Sequence, residues 1–328
     1  MNILVTGGLG FIGSNFILKI LESHPQYKIT NIDAELYGSN HKNLSSLNNN
    51  DNYNFVKGNI TNRNLMEKLI EDSDIVINFA AESFVDRSIL DANPFLVSNI
   101  RGTYTILDII KNQKKKLIHI STDEVFGSLE TAEADESFKL NPSNPYAATK
   151  ASAELLINSY NKTYDIDCII TRCTNNYGPM QFPEKLIPKT ILLASQKKKI
   201  PIYGTGKNTR DWLYVTDHCE AILQILHHGK SQQSYNISSK NYIDNISVVK
   251  NILSAMNISD DLIEYVDDRP GHDIRYGLNS LKIENELNWK PSIRFEDGIK
   301  QTVDWYLNNS DWWNDLAMNV FESTPWKN

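Results

Sequence analysis

The stretch Ser121-Thr122-Asp123-Glu124-Val125-Phe126-Gly127 sets a hydroxyl and two adjacent carboxylates directly after an apolar run, Leu117-Ile118-His119-Ile120. The run reads as a buried strand. Two acids at the end of such a strand are costly to place there without a use. Tyr146-Ala147-Ala148-Thr149-Lys150 begins 22 residues after Glu124. At a spacing of i, i+4 its tyrosine and lysine share one helix face. Thr122, Asp123, Glu124, Tyr146 and Lys150 thus supply a hydroxyl, an acid, a second carboxylate and a tyrosine base that a lysine makes more acidic. That set suits oxidation of a sugar alcohol followed by loss of water.

A second constellation opens the chain. Thr6-Gly7-Gly8-Leu9-Gly10-Phe11-Ile12-Gly13 joins a first strand to a first helix. Gly7 permits a tight turn, Gly10 lets backbone approach a pyrophosphate, and Gly13 allows close helix–sheet packing. The N–H groups of Phe11, Ile12 and Gly13 lie at the helix N-terminus, where the dipole favours phosphate. Asp33 follows Gly13 by 20 residues, at the end of the second strand. A glycine motif alone is weak, but strand, helix and acid together make a dinucleotide fingerprint. Asp33 would accept from the adenosine ribose and repel a 2′-phosphate, so NAD is expected over NADP. The plainer reading of Asp33 is a turn or capping residue. Ala80, Ala81 and Ser83 end the fourth strand, where small side chains let a cofactor lie against backbone or simply fill a packed turn.

These residues need a scaffold, and the pattern around them is α/β. Short apolar strands at Ile3–Thr6, Lys28–Asp33, Tyr53–Val56, Asp74–Ala80, Lys116–Thr122 and Asp167–Arg172 alternate with helices at Phe11–Glu22, Asn62–Glu71, Pro94–Asn112 and Pro145–Thr163. Continuous apolar strands with intervening helices imply a Rossmann-like doubly wound parallel sheet. Gly38–Asn54 reads as a polar loop with one helical turn. After Pro183 the rhythm changes: helices near Leu186–Ser195, Asp217–His228, Ile246–Asn257 and Phe295–Leu307 mix with short strands at Ile200–Tyr203 and Trp212–Val215. The expected division is an NAD-binding domain over residues 1–185, joined by about 212–240, and a smaller mixed α/β substrate domain over 186–328.

Composition bounds the function. The 328 residues are 41% hydrophobic and 22% charged, with a net charge of −7 that argues against nucleic acid as a partner. Only eight of the 33 bases are arginine, and Arg87, Arg172, Arg210, Arg269 and Arg275 lie in or beside the motifs. Arginine is the better fork for phosphate. Cys168, Cys173 and Cys219 fit neither a disulfide framework nor a zinc site, so free thiols, no metal and a cytoplasmic location are expected. No leader precedes strand-like Ile3-Leu4-Val5, and no apolar run approaches a membrane span.

Taken together, the three motifs resemble the extended short-chain dehydrogenase/reductase superfamily. There the tyrosine hydroxyl exchanges a proton while hydride moves between substrate carbon and NAD, and the lysine lowers the tyrosine pKa and holds the nicotinamide ribose. Thr122-Asp123-Glu124 narrows the resemblance to the nucleotide-sugar 4,6-dehydratases. So do Ala80–Ser88, Asn175–Pro188, Arg210–Asp217 and Asp268–Tyr276, so the match spans nearly the whole chain. The resemblance implies a dTDP-glucose substrate, a place in deoxysugar and rhamnose synthesis, and a homodimer paired through the helices at Pro94–Asn112 and Pro145–Thr163. It adds Asn59, Ile60 and Asn99 to the cofactor contacts. On the substrate side it implies Ser83, Asn175, Glu184 and Lys185 with Leu186, then Arg210, Arg269 and Tyr276. His272 is left without a role, and Arg172 reads equally well as structural.

The implied chemistry follows from the groups. Oxidation at C4 makes a ketone that acidifies the C5 proton, which suits Glu124 as base. The C6 hydroxyl leaves once protonated, which suits Asp123 held neutral, because adjacent carboxylates push their pKa values apart. Phe84, Asn59, Phe126, Ala34 and Ser39 depart from the family's usual residues without touching this set. A UDP-glucose 4,6-dehydratase is the nearest alternative. A UDP-sugar epimerase or decarboxylase is disfavoured by Asp123, and a catalytically silent NAD-binding regulator by the complete set of five groups.

Overall fold

The computed structural model describes residues 1–314 together with Phe321 and Trp326. Apolar strands β1 (Asn2–Thr6), β2 (Lys28–Asp33) and β3 (Tyr53–Lys57) alternate with helices α1 (Phe11–Ser23) and α2 (Arg63–Glu71). Next come β4 (Ile75–Asn78), the short α3 (Val85–Leu90) and α4 (Asn93–Phe95), and α5 (Thr103–Gln113). β5 (Lys116–Thr122), α6 (Pro145–Tyr164) and β6 (Cys168–Cys173) complete this run. A strand from much later in the chain, β10 (Ser234–Ile237), closes the sheet, whose order is β10-β6-β5-β4-β1-β2-β3. Every pairing in it is parallel.

Both faces of the sheet are covered, which is why its strands are apolar throughout. On one face Phe16, Ile17 and Ile20 of α1 pack with Ile222 and Ile225 of α8 (Val215–His228). On the other, Met66, Ile106, Ile110 and Ile157 bring α2, α5 and α6 against Leu4, Val76 and Leu117. The strand order reverses between β1 and β4, and the crevice outside the carboxyl ends of these strands is the natural ligand site of such a sheet.

The remaining elements build a third core. β7 (Asn175–Tyr177), β9 (Thr209–Tyr214) and β11 (Tyr242–Asp244) form a three-stranded sheet, and β8 (Ile200–Tyr203) pairs with β12 (Ile263–Val266). Tyr177, Ile191, Trp212, Ile252, Ile299 and Tyr306 join this sheet to α7 (Leu186–Ser195), α9 (Asn245–Ala255) and α11 (Phe295–Asn308). The small α10 (Leu281–Leu287) contributes Ile283 and Leu287 to the main core, and after α12 (Ser310–Trp313) only Asn314, Phe321 and Trp326 are described.

The sequence reading of one uniform helix over Pro94–Asn112 needs correction. Between α4 and α5 the backbone winds as a π-helix over Leu96–Gly102. The wider winding fits Asn99, whose side chain accepts from the Glu82 N–H (2.9 Å) and donates to the Glu82 carbonyl (3.0 Å) and the Thr149 hydroxyl (2.9 Å). Gly102 sits where a Cβ would lie 2.3 Å from Ile60. β7, β10, β11 and β12 were also invisible to pattern reading, because runs of three or four residues carry no period.

Arg172 is structural. Its guanidinium donates three hydrogen bonds to Glu154 (2.7–3.1 Å), with side chains 4% and 0% exposed, and lies 4.9 Å over the Phe126 ring. This pins α6 to β6. Losing one partner strands a buried charge, so Glu154→Ala is expected to destabilise by about 3–5 kcal/mol in urea titrations. The double change Glu154→Leu with Arg172→Met is expected to recover most of that loss.

Candidate active site

β5 carries its chain out at the crevice, and the first turn beyond it bends sharply. Thr122 caps that turn, its Oγ1 accepting from the Glu124 N–H (3.3 Å), and Asp123–Phe126 wind as a 3-10 helix. Gly127 ends it at φ +71°, with a Cβ position only 2.2 Å from the Asn141 carbonyl, so a side chain there is excluded. The bend leaves Asp123 and Glu124 at the mouth of the sheet.

Asn144 links this turn to the helix that supplies the other groups. Its Oδ1 accepts from the Ala147 N–H (2.9 Å) as the N-cap of α6, while its Nδ2 donates to Glu124 (3.2 Å). Tyr146 and Lys150 follow on the same helix face. The Tyr146 N–H donates to the Ser88 hydroxyl (3.2 Å), and Lys150 Nζ donates to the Ile120 carbonyl of β5 (2.6 Å). All five predicted groups line one cleft, together with Ser121 and Cys173, which the sequence reading missed. Their signal was available, since both sit at carboxyl ends of strands in the parallel sheet.

Burial sets the electrostatics. Asp123 is 3% exposed; among the described residues its Oδ2 has no hydrogen-bond partner and Oδ1 accepts from Thr122 (3.1 Å). Burial, then the neighbouring Glu124, hold its pKa well above the usual carboxylate value. The neutral form is thus favoured relative to a free carboxyl. Lys150 is pushed down to about 8 by burial, with Glu154 pulling the other way. The Tyr146 phenol is raised by burial and then by Glu124, opposed by a hydrogen bond with Thr122. In this state Tyr146 is thus a held proton rather than a phenolate.

The glycine turn fits a dinucleotide. Gly7, at φ +70°, lies against Ala80, where a Cβ would come within 2.6 Å of the backbone, and a Cβ on Gly13 would lie 2.6 Å from the Gly7 carbonyl. Gly10 caps α1 with no side chain on the first N–H groups and no acid in the first turn. Gly10, Phe11, Ile12, Asp33, Ala81 and Ser83 line the same cleft. Asp33 Oδ1 accepts from Glu35 N–H and Ser39 Oγ (both 2.8 Å), and Oδ2 from Leu9 N–H (3.0 Å). A carboxylate offers about four acceptor positions, so one remains on Oδ2 for a ribose hydroxyl. Asn59 and Ile60 also line the cleft, but Asn59 Oδ1 is already taken by the N–H and hydroxyl of Thr61 (2.9 and 2.8 Å). These two bonds fill the acceptor positions of that oxygen. Asn99 stays behind the cleft, holding Glu82 and Thr149.

The predicted substrate residues fall into two groups. Ser83, Asn175 and Lys185 line the cleft, Lys185 Nζ donating to the Ser83 carbonyl (2.9 Å) and lying 4.7 Å from the Phe84 ring. Leu186 packs into the third core. The others are engaged with protein. Glu184 accepts from Arg87 (3.0 and 3.1 Å) and from Tyr37. Arg210 is 4% exposed and donates to the Thr209 and Asp273 carbonyls (2.8 and 3.0 Å) while stacking on Tyr276. Tyr276 OH bridges Asp273 (2.7 Å) and Glu124 (3.3 Å). Arg269 pairs with Asp86 (2.7 Å). His272 pairs with Asp268 (2.6 Å). Phe84 joins Tyr37 and Phe182 in an aromatic cluster beside the cleft, and buried Phe126 meets Phe138 edge-to-face.

A family model described as GDP-mannose 4,6 dehydratase matches residues 4–302. The chain is similar to the low-salt glycan biosynthesis protein Agl12 of Haloferax volcanii, 44% identical over 95% of this chain and 100% of that protein. It is 41% identical to dTDP-glucose 4,6-dehydratase of Mycobacterium tuberculosis, over 96% of each. The crystal structure of dTDP-glucose 4,6-dehydratase from Bacillus anthracis in complex with NAD is 46% identical, with a TM-score of 0.91 over 97% of this chain and 100% of that one.

The raised carboxyl predicts a pH-dependent stability gain. In the unfolded chain Asp123 ionises in the usual carboxylate range, so the folded state binds the extra proton above it. Stability is therefore lost as pH rises from that range toward the raised folded value. Asp123→Asn removes this penalty. Its Tm gain over wild type is expected to be small near about pH 4 and to grow toward about pH 8 in thermal unfolding across pH. A gain that shrinks with rising pH would contradict the buried, protonated state.

Proposed function

We propose, for a chain that belongs to the GDP-mannose 4,6 dehydratase family, that it removes water from dTDP-glucose to give dTDP-4-keto-6-deoxyglucose, with NAD as its resident cofactor. The observation that carries this reading is the buried Asp123 beside Glu124 at the mouth of the sheet, with Tyr146 and Lys150 of the adjoining helix lining the same cleft. The names and NAD complex of the relatives support the substrate and cofactor. An epimerase has no use for a buried acid at this point.

NAD, when bound, supplies a hydride acceptor and then a hydride donor. The residues do the rest. Gly7, Gly10 and the first N–H groups of α1 receive the pyrophosphate, and Asp33 receives the adenosine ribose. Tyr146 would take the proton from the C4 hydroxyl as the phenolate, a form that the Lys150 ammonium and the positive charge of bound NAD would favour, with Thr122 hydrogen-bonding its oxygen. The resulting ketone acidifies C5, whose proton passes to Glu124, steadied by Asn144 and Tyr276. Asp123 gives its proton to the C6 hydroxyl, which leaves as water. Ser83, Asn175, Glu184, Lys185, Arg210 and Arg269 hold the nucleotide sugar, with Leu186 and Tyr276 framing it.

The same reading divides the chain into a cofactor domain over 1–185 with 212–240, and a substrate domain made mainly by 186–328. Residues beyond 314 other than Phe321 and Trp326 lie outside those described. The exposed Tyr104 on α5 and Leu155 and Tyr164 on α6 support a homodimer through these helices. The three buried free thiols support a cytoplasmic setting, and the product suits rhamnose and other deoxysugar synthesis.

Incubation with dTDP-glucose and with UDP-glucose, read by product mass, tests the substrate. Tyr146→Phe is expected to slow formation of enzyme-bound NADH by about 10²–10⁴-fold, having lost its base. Asp123→Asn and Glu124→Gln are expected to reduce NAD in a single turnover yet accumulate the 4-keto-glucose species. If either releases dehydrated product as fast as wild type, the elimination roles are wrong. Wild-type protein should also bind NAD more tightly than NADP in a titration, because Asp33 repels a 2′-phosphate.

A further inference from the structure

Two adjacent side chains on α3 reach opposite ways into the substrate-side half. Arg87 grips Glu184 and lies 3.5 Å over the Tyr37 ring. Asp86 Oδ1 accepts from Arg269 Nη1 at 2.7 Å, and its Oδ2 accepts from Tyr203 OH on β8 at 3.1 Å. The Asp86 and Arg269 side chains are only 12% and 15% exposed.

Arg269 lies on a segment with no helix or strand of its own, between β12 and α10. Locally its backbone N–H is held by Asp268 (2.8 Å), and Gly271 turns the chain at φ +64°. Neither contact fixes a side chain as long as arginine. Asp86 does, because a carboxylate on Nη1 orients the whole guanidinium plane. Arg269 Nε–H is buried and has no hydrogen-bond partner among the described residues. A buried donor without a partner is costly, and an anion placed on that edge would satisfy it.

We propose that Asp86 is a positioning residue for Arg269: it holds Nη1 so that the Nε edge faces the diphosphate of the nucleotide sugar. Tyr203 fixes the carboxylate in turn. Asp86 touches no substrate and acts through Arg269, which ties the cofactor-side helix α3 to substrate affinity. This rests on the dehydratase reading for the substrate's identity.

The test is a mutant cycle of Asp86→Ala, Arg269→Ala and the double variant in the NAD-loaded protein. It reads the Kd of dTDP by calorimetry, then KM and kcat for dTDP-glucose. Asp86→Ala is expected to raise Kd and KM by roughly 10-fold while leaving kcat within about twofold and the NAD content unchanged. In the Arg269→Ala background it should add nothing further. Unchanged Kd, a fall in kcat at constant KM, or fully additive effects would overturn the proposal. Should Asp86→Ala fold poorly, Tyr203→Phe removes one hydrogen bond from the same carboxylate. It is expected to raise Kd in the same direction by a smaller factor, and an unchanged Kd there would overturn the proposal equally. Wild-type turnover of dTDP-glucose tests the dehydratase reading separately, and the Kd comparison decides this one whatever that result.

Discussion

The amide of Asn144 is the joint on which the site depends. One end caps α6 and the other holds Glu124, so the helix that carries Tyr146 and Lys150 starts where the carboxylate turn ends. Lys150 closes the same joint from inside by donating to Ile120 on β5. Each hydrogen bond is worth only about 0.5–1.5 kcal/mol net. Their consequence is geometric: three reacting groups from two elements move as one body, and the buried Arg172–Glu154 pair fixes that body to the next strand.

A parallel sheet makes such a site at one end only. Its strands all deliver their carboxyl ends to the same crevice, so Gly7 after β1, Asp33 at the end of β2, Ala80 after β4 and Thr122 on β5 converge without being near in sequence. The same burial that stabilises the sheet disfavours charge in the site. It pushes the Asp123 and Tyr146 pKa values up and that of Lys150 down. A buried carboxyl of this kind costs stability.

The second half of the chain is joined to this scaffold through a shared core. β10 returns to the main sheet and α8 packs on α1, so the two halves share a core rather than meeting at a linker. Contacts from α3 and from the Tyr37 loop extend this sharing to the cleft itself. The aromatic cluster of Tyr37, Phe84 and Phe182 packs both halves at its rim.

The sequence by itself determined the sheet, the glycine turn and which five polar groups meet in one cleft. These are local facts: strand periodicity, a strand–turn–helix spacing, and two motifs short enough to lie on single elements. What only the tertiary structure decided were properties that belong to contacts. Whether Asp123 holds its proton depends on burial under residues distant in the chain. Arg172 and Asn99 became structural because Glu154 and Glu82 lie beside them, and Asn59 lost its spare acceptor to Thr61. Arg269 and Glu184 were legible as charges but not as partners of Asp86 and Arg87, which stand 183 and 97 residues away. A one-dimensional pattern gives the type of each side chain, whereas its charge state and free valence are set by whichever neighbours folding brings within about 3 Å.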